Sequence, residues 1–308
     1  MKLTSQLQLT RLRFREITAA DFGEIARYMA MTESRTCDYT LGGIVLWAGY
    51  FNYRIATSAD GTLYISGGRE DDLSVRAYAL PLGAADFAAS VGCLAENADG
   101  APLWFSAIPE DRLHLFASLP GVEVYELGAE WSDYLYNIEP IARLDGGAMK
   151  KKRNHVNRFL ADNPDAELVG LTAANAHACR RLLEALGHDG SPTGRAEFEA
   201  IGAMLAHTEA YAPFFSGEVL LAAGRPVGFT IGETKGDTLH VHVEKADHTV
   251  AGANEALTSM FAARMLDRFP GLRFINRQDD AGDPGLRVSK QSWRPLRLLP
   301  KFNVMVRI

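Results

Sequence analysis

The sequence predicts an α/β fold with mixed sheets, laid down as two tandem domains. Length is the first observation: 308 residues exceed one ordinary domain, for which ~100–200 residues is usual. Composition is the second. With 47% apolar and 23% charged residues, the chain matches a soluble globular protein that can bury a core without staples. Element order is the third. Each half reads as helices, then a meander of strands, then helix–strand–helix–strand, although no residue-level repeat is visible.

The first half opens on a strand candidate, Leu12 to Ile17. Thr18 then caps a helix over Ala19 to Met31, where Phe22, Ile25, Ala26 and Met29 recur at i, i+3, i+4 and i+7. A short helix follows around Ile44–Tyr50. Tyr53 to Leu80 reads as strands broken at SADG and REDD. PLGAADFAASVGCLAENADG carries a helix closed by Asp99-Gly100, and PLWFSAI is a strand. PEDRLHLFASLPG is a helix with Pro at its start and Pro-Gly at its end, and VEVYEL returns as a strand.

The second half repeats that grammar. AELVGL is a strand, followed by helices over Ala173–Leu186 and Arg195–His207. EVLLAAGRPVGFTIGE gives two strands around AAGRP, and Gly236-Asp237 turns into the strand TLHVHVEKA. A helix covers Asn254 to Phe269, LRFIN is a strand, GLRVSKQSW a short helix and KFNVMVRI the last strand. The halves, 1–137 and 165–308, are joined by 138–164, expected as a basic connector helix between Gly146-Gly147 and Asn163-Pro164. Met149, Val156, Phe159 and Leu160 share one face of it; Lys151, His155 and Arg158 share another, so the cations are expected outward.

Composition also excludes several classes. Cys37, Cys93 and Cys179 are far apart and odd in number, without CxxC or metal-finger spacing; they read as reduced thiols of a cytoplasmic protein. The N-terminus MKLTSQLQLTRLRFREIT has no apolar core of a signal peptide. No run approaches the ~20 apolar residues of a membrane span. Net charge is −6, yet Lys150, Lys151, Lys152 and Arg153 are consecutive and Arg158 lies one turn on. Such a strip could neutralise phosphates of a nucleic acid. It could equally be a solvated helix face.

Chemistry concentrates in the second half. In TLHVHVEKA, alternation puts Leu239, Val241 and Val243 on one face and His240, His242 and Glu244 on the other. H-x-H-x-E could present three metal ligands, but no fourth is apparent and no metal is expected. The same face could line a substrate cleft with Glu244 or a histidine as general base, or be a hydrogen-bonded sheet face. The loop ADHTVAGANEAL leads into a helix and could offer N–H groups to an anion, but Glu255 in its first turn would repel a pyrophosphate. NRQDDAGDPGLRVSKQSWRP brings Asn276, Arg277, Asp280, Arg287 and Lys290 together as candidate substrate-binding residues, or as local ion pairs.

KKKRNHVNRF, VHVEKAD, INRQDDAGDPGLRVSKQSWRP, DYLYNIEPIARLDG and CDYTLGGIVLW together resemble the family named for the C-terminal domain of phosphatidylglycerol lysyltransferase. The resemblance covers nearly the whole chain, and Gly285, Leu286, Arg287, Lys290 and Pro295 are its most specific piece. It implies two GNAT-like domains in tandem, in agreement with the doubled plan. It also implies transfer of an aminoacyl group from a charged tRNA to an acceptor, which is a lipid hydroxyl in the lysyltransferases. Those enzymes carry a membrane-spanning part ahead of this module that the present sequence lacks. A small molecule, a peptide or a lipid headgroup is therefore the expected acceptor.

By the same resemblance, Lys150, Lys151, Lys152, Arg153 and Arg158 would face tRNA. Glu244, with His242 beside it, would take the proton. Arg287 and Lys290 would hold the tRNA 3′ end or developing charge. The R/Q-x-x-G-x-G/A loop of coenzyme-A-dependent relatives is replaced by Thr249-Val250-Ala251-Gly252-Ala253-Asn254, so coenzyme A is not expected. The alternatives are an acyl-CoA-dependent N-acyltransferase and a binding module without turnover.

Overall fold

The computed structural model describes residues 11–98 and 100–307. The elements run β1 (Arg15–Glu16), α1 (Phe22–Ala30), α2 (Leu41–Val45), β2 (Arg54–Thr57), β3 (Leu63–Arg69), β4 (Asp72–Tyr78), α3 (Phe87–Glu96), β5 (Leu103–Pro109), β6 (Val122–Glu126) and β7 (Asp133–Asn137). They continue with α4 (Ile138–Arg143), α5 (Lys150–Asp162), β8 (Glu167–Gly170), α6 (Ala173–Leu186), α7 (Pro192–Ala206), α8 (Thr208–Tyr211), β9 (Ser216–Ala222), β10 (Arg225–Lys235) and β11 (Thr238–Ala246). The last are α9 (Ala253–Arg268), β12 (Phe274–Asn276), α10 (Pro284–Ser292), β13 (Arg297–Leu299) and β14 (Lys301–Val306).

Most elements follow from local chemistry. Thr18 and Asp21 form a capping box ahead of α1, whose core face is Phe22, Ile25 and Met29. Ser191 and Asp283 accept N–H groups at the starts of α7 and α10, and each helix has Pro at its first position. Three elements are shorter than expected. The strand Leu12–Ile17 reduces to β1, the helix at Ile44–Tyr50 sits earlier as α2, and the PEDRLHLF segment is a 3-10 helix, Glu110–Phe116. The proposed helix stop at Asp99 and the reading of residues 1–10 fall outside the described residues.

The chain divides into two compact units, but not at 137 and 165. The first holds residues up to Ser34, Phe51–Leu127 and the chain from Lys301 onward; the second holds Arg35–Tyr50 and Gly128–Pro300. Long-range pairing decides this. β14 is inserted between β5 and β6 in the first sheet, order β1-β2-β3-β4-β5-β14-β6. β7 lies between β12 and β13 in the second, order β13-β7-β12-β11-β10-β9-β8. The basic segment is not a connector either. α5 belongs to the second unit, where Met149, Val156 and Phe159 share one core with α9 residues Ala256, Leu257, Phe261 and Met265.

Candidate active site

Each unit contains one parallel strand pair among the described residues, β4–β5 in the first and β11–β12 in the second. Their surroundings differ. Tyr78 and Phe105 form the single register pair of β4–β5, and Phe105, Phe116 and Phe87 pack edge-on behind it at 5.1 and 5.0 Å. Aromatic rings pack around that pair. The second pair runs Thr238↔Phe274, Leu239↔Ile275 and His240↔Asn276 and stops there. Buried ionisable groups gather beyond that point, at a desolvation cost that an apolar filling would avoid.

The H-x-H-x-E strand does not keep its three polar side chains together. A bulge in the β10–β11 ladder sets Ile231 opposite Val243 and Gly232 opposite Val241, leaving His242 as the extra residue. The face therefore switches inside the motif. His240 and His242 stay on one side, their rings stacked 6.4 Å apart at 13°. Glu244 turns to the other side, where Thr258 of α9 donates to its Oε1 at 2.9 Å. This corrects the single-face reading, and the triplet does not converge on one metal ion.

On the α9 side, Arg277 Nη2 donates to Glu244 Oε1 at 2.6 Å, and both side chains are about nine-tenths buried. Oε2 of Glu244, Nη1 of Arg277 and Nε1 of Trp293 are buried without a hydrogen-bond partner. The Arg277 guanidinium lies 5.5 Å from the Trp293 ring centre and the Lys152 ammonium 4.6 Å from it. Lys152 also pairs with Glu255 at 3.3 Å. Burial lowers the Lys152 pKa against the pull of Glu255. Hence Lys152 is not an outward cation; it is buried against Glu255 and Trp293. Lys150, Lys151 and Arg158 are exposed, whereas Arg153 donates to the Leu144 carbonyl at 2.6 Å.

On the other side, His242 packs against the Arg35–Tyr50 segment so closely that a Cβ on Gly42 would sit 2.3 Å from its ring. Gln278 meets His242 Nδ1 at 2.9 Å. Burial pushes His240 down to about 3, so its imidazole is neutral, with both nitrogens unpartnered. Glu233 of β10, opposite His240 in register, accepts the Leu41 and Gly42 amides at 3.0 Å each. Burial alone would raise the Glu233 carboxyl, but His242 and the Gly42 amide hold it below the usual range.

Of the remaining nominated residues, Asn276, Asp280 and Lys290 are buried and Arg287 is partly exposed. Asn276 is fully buried; its Nδ2 serves the Arg35 carbonyl and Asp133, and its Oδ1 accepts Gln278 N–H, so it frames the site. Arg287 grips Asp280 with two bonds of 2.9 and 2.8 Å, and Tyr134 donates to the same carboxylate at 2.7 Å. Burial works against ionisation of Asp280, yet those bonds hold its pKa below the usual value. Lys290 is buried, donates to the Asp279 carbonyl, and is pushed down to about 8 by burial. The sequence reading missed Glu233, Gln278, Thr258, Trp293 and Gly42. The Gly42-Gly43 pair is the one local sign that a backbone approaches something closely there. Cys37, Asp38 and Asp133 place one ligand atom each within 4.8 Å of one another, but Asp133 already accepts the Cys37 amide and Asn276.

Two α/β units, the second with a parallel pair beside buried acid–base groups, make a tandem GNAT-like fold. No helix among the described residues is long and apolar enough to cross a membrane. The chain belongs to the phosphatidylglycerol lysyltransferase C-terminal family, which it matches over residues 29–305. It is similar to the crystal structure of a conserved protein of unknown function from Bacteroides thetaiotaomicron, with 28% identity, coverage of 96% and 99% of the two chains, and TM-score 0.85. It shares its fold with L-PGS from Bacillus licheniformis, at 13% identity, 92% and 91% coverage and TM-score 0.64. A curated relative, the uncharacterized protein MYCGA3080 of Mycoplasmoides gallisepticum, is 24% identical over 181 residues; the match spans 57% of this chain and 56% of that relative's length.

Proposed function

We propose that this protein moves an aminoacyl group from an aminoacyl-tRNA to a hydroxyl or amine acceptor, in the cleft of its second unit. One observation carries the reading. Within the family match, the Glu244–Arg277 pair is buried at the opening of the β11–β12 ladder with one acceptor oxygen and one donor nitrogen unused. Leaving such groups unmet costs ~1–3 kcal/mol each. A substrate carbonyl on Arg277 and an O–H or N–H on Glu244 would meet them.

The chemical demands are modest, because the ester of a charged tRNA is already activated. The cleft has to orient the acceptor, stabilise an oxyanion and accept a proton. Glu244 Oε2 takes the proton from the attacking group on the α9 side as the new bond to the aminoacyl carbon forms, and returns it to the departing ribose oxygen as the ester C–O bond breaks. His242 faces the opposite side of the ladder, enclosed by Gly42, Phe215 and Gln278, and supports the strand from behind Glu244. Lys290, pushed down to about 8, carries its charge at neutral pH and steadies negative charge. Lys150, Lys151 and Arg158, exposed on α5, give phosphates a place to dock.

The start of α9 supports a donor other than coenzyme A. A Cβ on Gly252 would lie 2.5 Å from the His155 carbonyl oxygen, so α5 is packed on the turn where a pyrophosphate would sit. Glu255 adds a carboxylate there. Transfer of a labelled amino acid from charged tRNA to a panel of acceptors tests the function, with Glu244→Gln expected to abolish it. Undiminished transfer by that variant removes Glu244 from the mechanism. A thermal shift with acetyl-CoA tests the other donor; binding at 100 times Kd would add ~2.7 kcal/mol, and none is expected.

A further inference from the structure

We propose that Glu233 is the positioning residue for His242, fixing its tautomer while clamping the Arg35–Tyr50 segment over the ring. The proposal rests on the reading of this cleft as the transfer site. Glu233 is itself buried, and each of its oxygens has a task. Oε1 accepts the Leu41 amide and Oε2 the Gly42 amide, and Oε2 also stands 3.8 Å from His242 Nε2. On the far side of the ring, the Gln278 side-chain nitrogen lies 2.9 Å from Nδ1. An amide nitrogen can only donate, so Nδ1 accepts and the ring proton sits on Nε2, the nitrogen turned toward the carboxylate.

The ring has little freedom to choose otherwise. Gly42 closes one side of it, Phe215 stands edge-on at 6.2 Å, and His240 is stacked beside it. The segment that presses Gly42 onto it comes from the other end of the sequence and is tied to the second sheet at several points. Arg35 pairs with Asp237 at 2.8 Å, the Arg35 carbonyl accepts Asn276, the Tyr39 carbonyl accepts Lys235 at 2.7 Å, and the Cys37 amide donates to Asp133 at 2.6 Å. Among these ties, Glu233 alone touches both the segment and the histidine. The two backbone donors, one to each oxygen, require acceptor oxygens on both branches of the side chain, and His242 Nε2, buried without a hydrogen bond of its own, faces one of them at 3.8 Å, within reach of its charge. Glutamine has one oxygen, and its NH2 would be set against a backbone N–H. Glu233→Gln is therefore a disruptive change in this setting, whereas Glu233→Asp keeps both oxygens.

The test uses the full chain with 15N-labelled histidine, reading each imidazole tautomer by NMR and assigning His242 from the resonance lost in His242→Gln. The wild type is expected to show His242 as the Nε2–H tautomer alone. Glu233→Gln is expected to give a mixture, Glu233→Asp to recover most of the single form, and Gln278→Leu to leave it on Nε2. A second readout is the labelling rate of the Cys37 thiol in a Cys93→Ser, Cys179→Ser background. Loss of one clamp bond should speed it roughly fivefold, the factor a buried hydrogen bond is worth. A single Nε2–H form persisting in Glu233→Gln with unchanged labelling overturns the proposal, as does an Nδ1–H ring in the wild type. Should Glu233→Gln not fold, the tautomers of Glu233→Asp and Gln278→Leu decide: the proposal falls if Gln278→Leu alone releases the ring. None of these readouts needs turnover, so failure of the transfer assay leaves this result intact.

Discussion

Replacing Lys290 by Met should make the protein more stable at neutral pH and remove part of its pH dependence. Lys290 is 6% exposed, and burial pushes its ammonium down to about 8 from 10.5, with Asp279 pulling the other way and Arg277 adding repulsion. At 1.36 kcal/mol per tenfold, that gap corresponds to ~3 kcal/mol of unfavourable charge burial at low pH. The sign follows from proton counting. Between pH 8 and 10.5 the unfolded chain holds a proton that the folded one has released, so stability climbs with pH across that window and is lowest below it. From pH 7 to pH 10 the wild type should gain ~2 kcal/mol more than Lys290→Met, since other lysines and tyrosines titrate alike in both. The lost bond to the Asp279 carbonyl takes back ~1 kcal/mol of the gain in the variant. Urea unfolding of both proteins at pH 7 and pH 10 measures the difference directly. Equal pH dependence in the two would show that the ammonium is solvated in the folded chain and would refute the reasoning.

Three further outcomes are expected. Asp280→Asn leaves Arg287 and Tyr134 without their shared carboxylate; because Arg287 is partly exposed and can turn to water, the cost by chemical denaturation should be on the order of 1–2 kcal/mol. Because the Asp280 pKa is depressed, that contribution is present above the ordinary carboxylate pKa and is lost as pH falls through the lower folded value. Gly42→Ala pushes a methyl group into the His242 ring and should cost ~1–3 kcal/mol, seen as a lowered melting temperature with a shifted His242 resonance. In a tRNA-binding titration against salt, Lys150→Ala and Lys151→Ala should each flatten the log–log slope by up to ~0.7–0.9. Lys152→Ala should leave the slope alone and reduce stability, because its ammonium is spent on Glu255 and Trp293.

Much of the layout was legible locally. The cap at Thr18, the strands and turns of Tyr53–Leu80, and the helix period of α1 depend on neighbours within a few residues, whereas the Ser191 cap went unread and α7 was expected to start three residues late, at Arg195. Arg277, Asp280, Arg287 and Lys290 were legible as a cluster because one loop and one turn of helix carry them all. What misled was any inference that crossed a long gap. β14 follows β13 by one residue, yet the two strands belong to different sheets. The four-cation run looked uniform, but helical rotation turned Lys152 inward and Arg153 onto the Leu144 carbonyl while Lys150 and Lys151 stayed in water. The strict alternation of TLHVHVEKA assumed a regular ladder, and the bulge opposite Gly232 reversed the last third of it.

The sequence by itself determined the α/β class, the doubled plan and the chemical richness of the second half, because apolar periodicity and turn residues act over short range. Only the tertiary structure decided that Glu244 and His242 face opposite ways, that Glu233 and Gly42 meet across some 190 residues of chain, and that Lys152 is buried beside Glu255 and Trp293. The physical reason is that side-chain partners are chosen by desolvation. A buried charge takes whichever counter-charge, amide or ring folding brings within reach, and that choice is written in the packing of distant segments.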